Sequence, residues 1–141
     1  MKKNGKIFRL SLGSSPRNIR RVERFLKKVN IYAHLDEVHF HKLLVAVTEA
    51  VNNGIFHGNK SNPEKKISVV CHVTGEALEC RVCDEGKGFN PVNIPSPLDE
   101  KNLLNEHGRG IFLMRTLMDT VEFVKHKAGT EVIMTMHFYK I

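Results

Sequence analysis

With 141 residues, 41% of them hydrophobic and 26% charged, the chain has the composition of a globular protein and the length to bury a substantial core. No apolar run approaches the roughly 20 residues that span a bilayer, and the N-terminal MKKNGKIFRLSLGS lacks an adequate signal-peptide core. No membrane partner is therefore expected, and a single cytoplasmic domain over 1–141 is. The net charge of +7 invites a nucleic-acid reading, but no aromatic stacking set or nucleic-acid motif accompanies it, so that partner is not expected.

Residues 6–12, KIFRLSL, alternate as a first strand. Gly13-Ser14-Ser15-Pro16 breaks it and starts a helix, with Ser15 as the N-cap and Pro16 in the first helical position. That helix runs to about Val29. Ile19, Val22, Phe25, Leu26 and Val29 line one side, and Arg17, Arg20, Arg21, Arg24, Lys27 and Lys28 the other. A solvated basic face and a docking face for an acidic protein both fit this charge. Asn30 to Leu35 reads as a connector, after which Asp36 caps a second helix ending near Gly58.

In the second helix, Phe40, Leu43, Leu44, Val47, Val51 and Ile55 recur at spacings of three and four, the stripe of a helix packed on a core. Glu49, Asn53 and His57 recur at i, i+4 and i+8 and stack on a neighbouring face. An ordinary polar flank and a site account for these three equally well.

Asn59 to Lys65 is a turn by composition. KISVVCHV (66–73) and ALECRVCD (77–84) form an antiparallel hairpin about the Thr74-Gly75-Glu76 corner. Cys80 and Cys83 make a CxxC, but i and i+3 point to opposite strand faces and no second pair completes a zinc site. With Cys71 they are expected as buried free thiols. A segment rich in glycine and proline, from Glu85 to His107, reads as a lid ordered on binding. Gly108-Arg109-Gly110 opens a third helix, and strands at 120–127 and 129–138 close the chain. The order β-α-α-β-β-loop-α-β-β gives an α/β (α+β) fold, a two-layer sandwich of helices on a mixed, mostly antiparallel sheet.

Two glycine-bearing motifs add chemistry. In DEGKGF, Asp84 to Phe89, a carboxylate at a strand end precedes Gly86 and Gly88, which allow close approach of backbone. In GRGIFLM, Gly108 to Met114, glycines at a helix N-terminus offer N–H groups and a positive dipole end to an anion. Neither is specific alone. The familiar phosphate motifs GxxxxGK[ST], strand-GxGxxG-helix and the HRD and DFG set are absent, and HLDEVHFH is not a zincin HExxH.

The order of the pieces is specific. A helix with E-x-x-x-N, a strand ending in DxGxG, a proline-rich segment, a GxG helix start and a late Gly-Thr resembles the GHKL (Bergerat-fold) ATPases, the superfamily of gyrase, heat-shock-90 chaperones, histidine kinases and MutL. Within it, EAVNNGIFHGN, DEGKGF, HGRGIFLM and AGTEV are most similar to the bacterial anti-sigma-factor serine/threonine kinases. The resemblance runs from about Ile7 to Phe138.

It implies ATP and Mg²⁺ as cofactors, with Asn53 holding the metal against the phosphates and Glu49 as general base. Asp84 would accept the adenine amino group, supported by Thr130 through water, with Gly86 and Gly88 letting backbone approach the base. Gly108, Arg109, Gly110 and Ile111 would face the phosphates. His57 is a family feature of the helix end rather than a base, and Asn52 is a helix-face neighbour that could join the metal shell. Gly54 departs from the alanine usual there; it either loosens the site or makes room for something, at a cost of roughly 1 kcal/mol in helix stability.

The implied activity is phosphorylation of a serine or threonine on an anti-sigma-antagonist-type partner, with sequestration of a sigma factor and a homodimer as further expectations. Two alternatives stand beside it. A nucleotide-gated binding module would need Asn53 and Asp84 but no Glu49. The catalytic domain of a histidine kinase would need a phosphoacceptor hairpin, for which the stretch before Asp36 is too short.

Overall fold

The computed structural model describes residues 5–86 and 106–138. Among these residues, five strands and three α-helices follow in the order β1 (Lys6–Gly13), α1 (Ile19–Ala33), α2 (Glu37–Asn53), β2 (Lys66–Val73), β3 (Ala77–Cys83), α3 (Glu106–Leu117), β4 (Thr120–His126) and β5 (Gly129–His137). The strands lie in the order β1-β2-β3-β5-β4, and every neighbouring pair is antiparallel. The sheet is thus antiparallel throughout the described residues rather than mixed. The hairpins β2-β3 and β4-β5 fix two pairs; the helical crossing from β1 returns the chain antiparallel as β2, whereas β4 runs in the same sense as β3 with β5 between them.

Period-two alternation decides which sheet face the helices cover. Ile67, Val69, Cys71 and Val73 of β2, Leu78, Cys80 and Val82 of β3, and Val132, Met134 and Met136 of β5 are all buried. Val22, Phe25, Leu26 and Val29 of α1 close on that face, each burial contributing roughly 2 kcal/mol. Leu43, Val47, Val51 and Ile55 of the second helix do the same, while Phe40 and Leu44 pack at the margin. Cys71 and Cys80 oppose each other across β2 and β3 with sulfurs 2.7 Å apart, and Cys83 is half-buried on the other face. Burial pushes the Cys80 thiol well up, so it stays an inert core group.

Three helix boundaries differ from the sequence reading. A short 3₁₀ turn at Pro16–Asn18 precedes α1, and Ser15 occupies the cap position without a side-chain cap bond. The helix then runs past Val29 to Ala33 and stops where His34 turns left-handed, at φ 55°. Asn30 closes that end, its backbone oxygen accepting from His34 N–H and its side-chain oxygen from Leu35 N–H. The third helix begins at Glu106, two residues before the glycines. By contrast Asp36 caps α2 as expected, accepting from His39 N–H at 2.7 Å.

Past Asn53 the second helix widens into a single π turn, Gly54–Gly58, closed by Asn59 N–H donating to Gly54 O at 2.7 Å. Such turns concentrate at functional positions. Asn59 itself is buried and ties three elements together. Its Nδ2 donates to Ser14 Oγ at 2.7 Å and to Lys66 O at 3.0 Å, and its Oδ1 accepts from Glu85 N–H at 2.7 Å. Truncation strands several buried polar groups at once. Asn59→Ala should therefore cost about 3 kcal/mol, read as a lower denaturation midpoint and a melting temperature lower by about 10 °C.

Candidate functional site

The polar face of the second helix sits where the helix end meets α3 and the ends of β3 and β5. On one side is a cleft of about 430 Å³, lined by Glu49, Asn52, Asn53 and His57 with Arg109 and Leu113 of α3. On the other side a cleft of only about 20 Å³ runs between the π turn and the sheet, reaching Gly54, Gly58, Asp84 and Thr130. Asn53 and His57 line both. The i, i+4, i+8 spacing thus sets three side chains along one continuous groove.

Asp84 follows β3 directly and is half-buried. Its Oδ1 accepts from Gly86 N–H at 2.9 Å and from Thr130 N–H at 3.2 Å, while its own N–H donates to Thr130 O at 3.0 Å. Oδ2 receives no hydrogen bond among the described residues and lies against the π turn, where a side chain on Gly58 would overlap the carboxylate. Gly86 packs on the Gly58 carbonyl and Gly129 on the Asp84 carbonyl, so closely that neither could carry a Cβ. Thr130 is buried, and its hydroxyl has no hydrogen-bond partner among the described residues. An acceptor oxygen and an unsatisfied hydroxyl thus flank one narrow slot.

Burial is the largest influence on Asp84 and raises its carboxyl above the ordinary aspartate range; the Gly86 and Thr130 amides and the Lys65 charge oppose it. The native state therefore holds this proton more readily than the unfolded chain. The group's contribution to stability is present at low pH and is lost as pH rises through the raised value. A ligand that donates to the carboxylate behaves oppositely. Its affinity should fall on acidification at pH values where an ordinary aspartate is still charged, which binding titrations repeated from neutrality downward would show.

From α3, Gly110 passes directly against the second helix. A Cβ there would come within 2.8 Å of Glu49 Oε1 and 3.6 Å of Asn53 Nδ2, so the glycine brings backbone onto both side chains. Gly108 is buried in the helix's first turn, Arg109 is exposed in the larger cleft, and Ile111 is fully buried in the core, where its side chain packs. Gly88, Lys87 and most of the expected lid lie outside the described residues. The structure thus brings Glu49, Asn53 and Arg109 to the larger cleft and Asn53, Asp84 and Thr130 to the smaller, with Gly110 packed on Glu49 and Gly86 on Gly58. Asn59 was missed by the sequence reading; the only signal was an Asn directly after His57-Gly58 at a helix end.

The profile of the histidine kinase-like ATPase domain matches residues 12–136. The chain belongs to this family. Among its relatives in the family are the serine-protein kinase RsbW of Listeria innocua, 31% identical over 67% of this chain and 64% of the relative, and that of Bacillus subtilis, 34% identical over 67% and 62%. The anti-sigma F factor of Oceanobacillus iheyensis is 31% identical over 70% of each chain. The match thus spans under two thirds of the length of both RsbW relatives. In fold, the ATPase domain resembles the crystal structure of the RsbU and RsbW domains of Rv1364c from Mycobacterium tuberculosis (TM-score 0.69, 16% identity), covering 93% of this chain and 32% of that one. No helix among the described residues is long and apolar enough to cross a membrane.

Proposed function

We propose that the protein is an ATP-dependent serine/threonine protein kinase, phosphorylating a partner of the anti-sigma-antagonist type and sequestering a sigma factor when not engaged with that partner. The observation that carries this is the position of Glu49. It lines the larger nucleotide cleft and also the end of a second groove of about 320 Å³ between α1 and α2, whose floor is Ile19, Leu44 and Val45 with Arg20 at the rim. A carboxylate shared by two clefts suits a base placed between a donor nucleotide and an acceptor hydroxyl. A pure binding module needs no such carboxylate.

In this reading the adenine amino group donates to Asp84 Oδ2, with Thr130 supporting it through water. The base presents one edge to this slot. Gly86 lets backbone approach the ring, and Gly108, Arg109 and Gly110 in the first turns of α3 lie toward the phosphates, whereas Ile111 is turned into the core and takes no part.

For Mg²⁺, the donor set fits an ion held mainly by phosphate oxygens and water. Asn53 offers a carboxamide oxygen, and no group of three His, Cys, Asp or Glu residues capable of holding a metal occurs among the described residues. When bound, the ion would neutralise charge on the phosphates. Glu49 takes the proton of the partner's hydroxyl as its oxygen attacks the γ-phosphorus; the bond to the bridging oxygen breaks and ADP leaves.

The exposed basic face that runs from Arg17 in the 3₁₀ turn to Lys28 of α1 suits an acidic partner surface beside this groove. A homodimer working in the cytoplasm belongs to the same reading. The test is incubation with γ-labelled ATP and candidate partner proteins. Label on a partner serine or threonine supports the proposal. Bound ATP with no transfer to any partner favours the nucleotide-gated module instead.

A further inference from the structure

Gly54 has an ordinary helical conformation, φ −63° and ψ −42°, so its own backbone does not require glycine. Alanine is the better helix former there. The reason for glycine lies across the interface. A Cβ at residue 54 would come within 2.7 Å of Ile67 Cδ1 on β2, 3.5 Å of Asp84 Cβ and 3.9 Å of Asp84 Oδ2. Ile67 is fully buried, so its methyl cannot swing into solvent. Gly58, four residues on, faces the same carboxylate so closely that a side chain would overlap it. Together the two glycines make a seat on which the π turn, Ile67 and Asp84 close without intervening side chains.

We infer that Gly54 is a positioning residue for nucleotide binding: by letting Ile67 and Asp84 approach the π turn, it sets the depth at which the Asp84 carboxylate meets the base. The inference rests on reading Asp84 as the base acceptor. A methyl at residue 54 meets the Ile67 methyl first, and where the buried Ile67 does not yield, the π turn itself shifts against Asp84, whose Cβ and Oδ2 lie 3.5 and 3.9 Å from the same position. The fold has little to lose, since better helix propensity offsets the repacking. The loss falls on the ligand.

The experiment is calorimetric titration of Mg·ADP into wild type, Gly54→Ala, Ile67→Val and the double variant, with melting temperatures recorded alongside. Gly54→Ala should melt no lower than wild type yet bind roughly tenfold more weakly, the scale of one misplaced methyl group in a pocket. Ile67→Val deletes the clashing Cδ1, so the double variant should recover most of the affinity relative to Ile67→Val alone. Wild-type affinity in Gly54→Ala, or no recovery in the double variant, overturns the inference. If Asp84→Asn binds as wild type does, the base-acceptor reading fails instead. Should Gly54→Ala not fold, the Ile67 δ1-methyl NMR signal in the wild type decides. A shift that saturates with Mg·ADP supports the inference, and an unmoved signal at saturation overturns it.

Discussion

Glu49→Ala should bind Mg·ATP with wild-type affinity and transfer phosphate to the partner at least about 100-fold more slowly. Glu49 is half-buried on α2, one turn before Asn53, with Gly110 closing on its carboxylate from α3. It lies on the side of the larger cleft away from Asp84, where it can accept a proton but is not needed to hold the base. General-base contributions typically span about 10² to 10⁴ in rate, and phosphoryl transfer asks for little beyond positioning, charge neutralisation and such a base. Calorimetry for affinity and single-turnover transfer with labelled ATP separate the two effects. Parallel loss of both would make Glu49 a binding residue and return transfer to an open question.

Asn53→Ala should show the complementary pattern, losing nucleotide affinity itself. Asn53 closes α2 and lines both clefts, the position from which one side chain can reach the junction of base and phosphates. Removing a polar contact to a charged group costs about 2 kcal/mol, or some 30-fold in affinity. Much of the remaining affinity should become insensitive to chelation of Mg²⁺, the result that the proposed role of Asn53 in coupling metal to protein requires. Circular dichroism should report the fold intact. Unchanged affinity together with unchanged Mg²⁺ dependence would place the metal ligand elsewhere.

The periodic elements were legible from the chain because their causes are local. Alternation in KISVVCHV and GTEVIMTMHF needs only neighbours two residues apart, and the stripe from Leu43 to Ile55 only neighbours three or four apart; all became strands or core helix. What was not legible depends on partners far along the chain. Asn59 reads as a turn residue until Ser14 and Glu85 arrive, 45 and 26 residues away, to occupy its amide. Gly54 reads as a weak point in the helix until Ile67 of β2 is laid beside it. The overlong α1 escaped for a different reason: Ile31 and Tyr32 are exposed, so the last turn adds no apolar period to read. In the site, Glu49, Asn53 and Asp84 were visible as motif residues, but the seat beneath Asp84 was not.

The most direct measurement is calorimetric titration of Mg·ATP into wild type and Asp84→Asn at one neutral pH. Oδ1 of Asp84 is already held by Gly86 and Thr130, and Oδ2 remains as the acceptor a base would need. The substitution removes that charge while keeping the side-chain shape. The result expected is saturable binding in the wild type and affinity lower by at least about tenfold in Asp84→Asn. Equal affinity in the two proteins would contradict the assignment of this groove as the nucleotide site.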